Sequence, residues 1–311
     1  MWCYRYNEWY IAHFFDSLVR FSVPVFLMIT GVLLLSKPIT IDFFLKKRVT
    51  RVVYPFLIWS AVYVLFNLVL NTSNLHSNNL VALFKTVYLQ FKDGASYHFW
   101  YVYMLIGIYL FLPIIGKWIL NASEKEIRFF LIIWVLTNFF KQSYLSNYIP
   151  DIGLTYFVGY IGYPILGFYL YRLQTKKDLA VIGILLFSVG FCITMFGTFL
   201  LTRQYGTFNE TFYNYLCFNI VLTASGVFLL VKESNIQNTY FLSVINYVSV
   251  NSYGIYLSHV LVLFLLNSVG INSSFLHPFI GIIVTSLLCL LLSVILITSL
   301  KRISWISHFI G

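Results

Sequence analysis

Apolar residues in this chain run in long blocks rather than alternating with polar ones. The blocks fall at 14–36, 53–71, 98–118, 129–146, 152–172, 179–201, 212–231, 241–267 and 278–299. A helix that crosses a bilayer needs about 20 apolar residues, so the pattern predicts an all-α, polytopic integral membrane helical bundle of about nine transmembrane helices. Residues 1–311 read as a single transmembrane domain, with no soluble domain, low-complexity linker or clear repeat. The longest polar loop runs from Asn71 to Tyr97, too short for a domain but long enough to cap a pocket.

Polar residues inside the blocks are few, which makes their spacing informative. His13, Asp16, Ser17 and Arg20 follow the i, i+3, i+4, i+7 rule and share one helical face. Asp16 precedes Arg20 by four residues, the favourable sense for an ion pair. Pro24 has no N–H, so the Arg20 carbonyl loses its helical partner there and a break is expected. With Thr30 and Gly31 further along, the stretch reads as an interrupted helix whose polar groups Asp16, Arg20, Thr30 and Gly31 face a cavity or substrate path. An Asp16–Arg20 pair that only locks two helices together is the plainer alternative. A Ser-His-Asp triad on this face is set aside, because a triad is defined by hydrogen-bond geometry and neighbours on one helix rarely supply it.

Composition agrees with a membrane protein. The chain is 60% hydrophobic and 10% charged with a mean hydropathy of +0.84, against about 25% charged in soluble domains. The net charge of +10 raises nucleic acid as a partner, but the basic residues sit in short loops between blocks, where topology explains them and no nucleic acid is expected. One set of loops holds Lys37, Lys46, Lys47, Arg48, Arg51, Lys117, Lys125, Arg128, Arg172, Lys176, Lys177, Lys232, Lys301 and Arg302. The alternate set holds only Arg5, Lys85, Lys92, Lys141 and Arg203, so the first set and the C-terminus are expected in the cytoplasm. Cys3, Cys192, Cys217 and Cys289 lack metal-ligand spacing and read as small buried side chains, with no metal site. Residues 1–8 carry no basic-then-apolar signal peptide pattern.

Three further stretches carry candidate chemistry. Lys46-Lys47-Arg48-Val-Thr-Arg51 is either a topogenic cluster or an anion clamp in which Arg48 and Arg51, three residues apart, grip phosphate. His98, in Tyr97-His98-Phe99-Trp100, is either an interfacial histidine or a pocket residue able to bind or deprotonate a hydroxyl. His259 lies inside an apolar block and faces the bundle interior, as a hydrogen-bonded structural residue or as a functional one. The run Tyr156 to Tyr169, with Gly159, Gly162 and Gly167, reads as close helix packing, its rings available to line a sugar site.

Val23-Pro24-Val25-Phe26-Leu27-Met28-Ile29-Thr30-Gly31-Val32-Leu33-Leu34 resembles the VP-x-F-F-x-I-S-G-aromatic-L-L signature of the acyltransferase family 3 integral membrane proteins. Thr30 replaces the usual Ser and Val32 the usual aromatic residue. The Arg48-x-x-Arg51 loop, the His98/Trp100 helix opening, the Gly/Tyr span and Ser252-Tyr253-Gly254-Ile255-Tyr256-Leu257-Ser258-His259, similar to the family's S-x-x-(I/L)-Y-L-x-H helix, follow in the family's order. The family pattern has one more helix upstream, bearing its Arg and catalytic His. The expectation is that this sequence begins just after it.

The resemblance implies an O-acyltransferase of the bacterial inner membrane. It implies transfer of acetyl from acetyl-CoA, or of another acyl-CoA group, to a glycan or lipid-linked sugar, with the lipid bilayer as surroundings and no bound cofactor. Arg48 and Arg51 would hold the donor phosphates. His98, His259 or His13 would supply the general base, and Arg20 a donor to the oxyanion. A non-catalytic polysaccharide export component is the rival reading; an ion or small-solute transporter is a third.

Overall fold

A computed structural model of the chain describes residues 6–38, 40–70, 80–140, 142, 157–174, 178–304 and 307–311. Cys3, His76 and Tyr156 lie outside the described residues. The described residues form helices: α1 (Tyr6–Val19), α2 (Ser22–Leu35), α3 (Ile41–Phe44), α4 (Thr50–Leu70), α5 (Leu80–Asp93), α6 (Trp100–Asn121), α7 (Glu124–Phe140), α8 (Gly162–Arg172), α9 (Leu179–Tyr205), α10 (Phe218–Glu233), α11 (Thr239–Ser268) and α12 (Pro278–Lys301). A π-helical turn, Leu45–Val49, joins α3 to α4.

Among the described residues seven helical stretches are long and apolar enough to cross a membrane. They account for the sequence blocks except 129–146 and 152–172, which the described residues cover only in part, as α7 and α8. Leu33, Leu65, Leu200 and Leu287 are exposed large apolar side chains on the seven spans, as expected where the solvent is hydrocarbon. In α2 the buried positions 24, 27, 28, 31, 34 and 35 trace a helical stripe, while Phe26, Ile29 and Leu33 are exposed. Both faces are apolar because one meets protein and the other lipid.

The chain divides into two compact units, residues 1–40 with 111–235, and 41–110 with 236–311. In the first, α1 stops at Val19 and α2 begins at Ser22, so Pro24 sits in a first helical turn, where its missing N–H is tolerated. Helices α2 and α8 pack through glycine. A Cβ on Gly31 would lie 1.9 Å from the Pro164 carbonyl oxygen, and one on Gly167 would lie 2.3 Å from that of Met28. Helices α9 and α10 form a hairpin along a glycine seam. A Cβ on Gly190 would stand 2.4 Å from the Asn219 carbonyl, one on Gly226 2.5 Å from the Phe187 amide nitrogen, and one on Gly183 3.0 Å from the Gly226 carbonyl. A Cβ on Gly197 would lie 2.7 Å from the ring of Phe212, just before α10. Lys232 donates to the Leu170 and Leu173 carbonyls, 3.0 and 2.8 Å, satisfying the end of α8.

The second unit contains α3 to α5, the first half of α6, α11 and α12. Hydrogen bonds tie α4 to α11: Tyr253 Oη donates to the Val52 carbonyl at 2.7 Å, and Tyr63 Oη to the Leu257 carbonyl at 3.1 Å. Trp59 Nε1 donates to the Ile310 carbonyl at 3.3 Å. Gly94, at φ +99°, ends α5 in the left-handed region and turns the chain toward α6. The Asn67 amide holds that turn through the Ala95 carbonyl and Gln90 Oε1, both at 2.9 Å.

Candidate functional site

Each unit brings together a cluster of polar side chains around the predicted histidines. In the first, the predicted stripe of α1 gathers around Tyr213. Arg20 pairs with Asp16 at 2.6 Å, and its guanidinium carbon stands 4.2 Å from the Tyr213 ring centroid and 5.6 Å from that of Tyr215. Arg20 Nε is buried without a hydrogen-bond partner. His13, only 4% exposed, hydrogen-bonds the Tyr213 hydroxyl through Nδ1 and the Met195 carbonyl through Nε2 at 2.9 Å. A carbonyl only accepts, so Nε2 carries the proton and Nδ1 takes the Tyr213 O–H. Ser17 Oγ stands 3.4 Å from both His13 Nδ1 and Tyr213 Oη. Both ring nitrogens of His13 are therefore occupied by the protein, and the ring braces α1 against α9 and the Thr211–Tyr213 turn.

Thr30 and Gly31 stand apart from this cluster. Thr30 Oγ1 bonds back to the Phe26 carbonyl of its own helix at 2.9 Å, and Gly31 is a packing contact with Pro164.

In the second unit, His98 and His259 come together across 161 residues of chain, with ring centroids 4.9 Å apart and planes at 71°. His98 sits in the single 3₁₀ turn Tyr97–Phe99 that opens α6, and is 5% exposed. Rings of Tyr63 at 5.5 Å, Tyr256 at 5.3 Å and Phe99 at 4.4 Å surround it. Its Nδ1 meets Ser96 Oγ at 2.9 Å. Its Nε2 is buried without a hydrogen bond of good geometry, within electrostatic reach of the Leu257 carbonyl. Tyr256 links the pair: its hydroxyl donates to the His98 carbonyl, and its own carbonyl accepts from His259 Nδ1 at 2.5 Å. That contact fixes the His259 proton on Nδ1, with the Ile255 carbonyl also in reach of the ring, and leaves Nε2 as a lone pair on a half-buried ring with no hydrogen bond among the described residues. An imidazole oriented by a carbonyl on one nitrogen and open on the other has the form of a general base.

Tyr63 belongs to this site, and nothing in its sequence context marks it out from the chain's other tyrosines. Its hydroxyl donates to the Leu257 carbonyl and accepts from the Leu261 amide at 2.9 Å. Those two groups are an i, i+4 pair of α11, and His259 lies between them.

Arg48, in the π-helical turn, and Arg51, in the first turn of α4, are both exposed, and Lys301 lies within electrostatic range of Arg51. The ion pairs among the described residues are Asp16–Arg20 and Glu124–Arg128, so neither Arg48 nor Arg51 is spent on a carboxylate there. Cys217 and Cys289 are buried, as expected, whereas Cys192 is exposed on α9, where a small apolar thiol is equally at home against lipid. Among the described residues no group of three or more His, Cys, Asp or Glu is placed to hold a metal ion.

A family model described as an acyltransferase domain matches residues 2–298, nearly the whole chain. No curated protein and no solved structure matches.

Proposed function

Because the chain belongs to acyltransferase family 3 and is a multi-pass membrane acyltransferase, we propose that it moves an acetyl group from acetyl-CoA to a hydroxyl of a surface glycan or glycolipid, with His259 as general base. The observation that carries this reading is the His259 Nδ1 contact with the Tyr256 carbonyl, which leaves Nε2 free to accept a proton. In the reaction Nε2 takes the proton of the acceptor hydroxyl as its oxygen attacks the thioester carbonyl. The C–S bond breaks, and the thiolate of CoA leaves with the proton from the imidazolium. His98 packs beside His259 and positions it, and Arg48 and Arg51 hold the phosphates of the donor. His13, with both nitrogens bonded, braces the first unit. Following the distribution of Lys and Arg, the basic loops and the C-terminus face the cytoplasm of a bacterial inner membrane.

The test uses the whole chain in lipid nanodiscs with radiolabelled acetyl-CoA and glycan extracted from a deletion strain. His259→Asn keeps a donor for the Tyr256 carbonyl but removes the base. Transfer is expected to fall by about 10²–10⁴-fold, the usual worth of a general base. Transfer at the wild-type rate would remove His259 from the chemistry. Mass spectrometry of surface glycans from the deletion strain checks the activity itself. If acylation persists while glycan export falls, the protein is an export component instead.

A further inference from the structure

The end of the α11–α12 hairpin farthest from Lys301 carries an open cavity of about 320 Å³. Asn267, Asn272, Ser273, Thr285 and Ser286 line it together with aliphatic residues, among them Leu263, and no charged side chain does. The loop over it is braced. Asn272 Nδ2 donates to Asn267 Oδ1 at 3.2 Å, and Asn272 Oδ1 accepts from the Ser274 amide at 2.9 Å. The Ser273 carbonyl seats on Gly281, where a Cβ would come within 2.3 Å.

Thr285 is the informative residue. It is 9% exposed, and its Oγ1 is buried with no hydrogen-bond partner. Thr298, on the same helix, bonds back to the Val294 carbonyl at 2.8 Å, which is how an intramembrane threonine ordinarily satisfies itself. The Thr285 hydroxyl makes no such bond, and its residue lines the pocket. A buried hydroxyl left unpaired is costly, and a turn about χ1 toward the pocket would let a ligand hydroxyl pair it. Two carboxamides and three hydroxyls without a charge, set among aliphatic walls, match a neutral, hydroxyl-rich ring with apolar C–H edges.

The cavity stands close to His259 on the same two helices. Leu263 and Asn267 follow His259 by four and eight residues on one face of α11, about 6 and 12 Å along its axis. Cys289 Sγ contacts the His259 carbonyl at 3.4 Å, and Thr285 is one turn before Cys289 on α12. We propose that this cavity is an acceptor subsite that takes a neutral sugar residue adjoining the one whose hydroxyl meets His259. The subsite sets which glycan is acylated, and it rests on the reading of His259 as the base.

Binding tests this without turnover. Saturation-transfer NMR of the whole chain in nanodiscs uses a panel of neutral disaccharides and their uronate-containing counterparts. Neutral disaccharides are expected to bind, and Thr285→Val to weaken them at least tenfold while Thr285→Ser does not. Asn267→Ala, at an exposed position, is expected to weaken them as well and serves if Thr285→Val fails to fold. Equal affinity in Thr285→Val and Asn267→Ala, preference for uronates, or no disaccharide binding overturns the subsite. Thioester cleavage of acetyl-CoA in the same preparation reports on the enzyme reading separately, so the two stand or fall apart.

Discussion

Tyr63 on α4 sets its hydroxyl against the rung of α11 that frames His259. Its hydroxyl bridges the Leu257 carbonyl and the Leu261 amide, two groups that would otherwise serve the helix ladder alone. Tyr63→Phe removes both bonds. The expected loss is about 1–2 kcal/mol of stability, since each net hydrogen bond contributes about 0.5–1.5 kcal/mol and the ladder can partly close. Hydrogen exchange at the Leu261 amide should quicken as it loses the Tyr63 acceptor, and a thermal melt in detergent gives the stability change.

Packing at Gly31 allows no side chain. The obstacle to a Cβ is the Pro164 backbone, at 1.9 Å, which cannot swing away as a side-chain tip would. Gly31→Ala is expected to destabilise by about 3 kcal/mol, the upper end for overpacking. Gly107, in the interior of α6, has nothing within 4 Å of an added Cβ, so Gly107→Ala should stabilise by about 0.5–1 kcal/mol. Melting temperatures of the two variants should move in opposite directions.

Arg48 and Arg51 are expected to act on donor binding. Arg51→Gln should raise the KM for acetyl-CoA by about 10-fold or more at nearly constant kcat, as loss of one charge-assisted contact of about 1.5–3 kcal/mol predicts. Added salt should raise the wild-type KM more steeply than that of the variant. Equal KM values would make the loop purely topogenic.

The start of α7 gives a pH-dependent test. Ser123 Oγ and its amide donate to Glu126 Oε2 at 2.7 and 2.6 Å, and the Glu126 amide returns a bond to Ser123 Oγ at 3.3 Å. The Ser123 side chain first, then its amide, holds the Glu126 carboxyl below its usual range. A depressed folded-state value means that the stabilisation is fully present above the unfolded value, about 4.3, and is lost as pH falls through the folded one. Exchange protection of the first turn of α7 should fall in acid in the wild type. In Glu126→Ala it should be weaker at neutral pH and insensitive to acid over that range.

Much of this was legible in the residue order, for physical reasons that can be named. Pro24 lacks an N–H, and the chain breaks between Val19 and Ser22. Asp16 and Arg20 are four apart on a helix, and they pair. What could not be read locally was any partner far along the chain. Tyr213 reaches Arg20 and His13 from some 200 residues away, and His98 meets His259 across 161. Periodicity orders residues along one helix and is silent about which helix lies beside it. The tyrosine-rich composition hid Tyr63 and Tyr213 among 24 tyrosines. Gly183, Gly190 and Gly197 are a different case, since their seven-residue spacing is visible in the sequence and marks the seam of α9.

That spacing limits how the gene can change in length. Each residue in a helix turns the chain by about 100°, so inserting or deleting one codon between Gly183 and Gly197 would rotate the glycine beyond it away from the contact. A bulky residue would then meet backbone or ring where there is no room. Seven codons, about two turns, is the smallest step that restores the register, and it would also lengthen the span by about 10 Å. The stretch from Gly206 to Glu210, outside any helix, has no such phase to keep. Length variation in this hairpin is therefore expected in its connecting turn, with α9 inherited as a unit of fixed length.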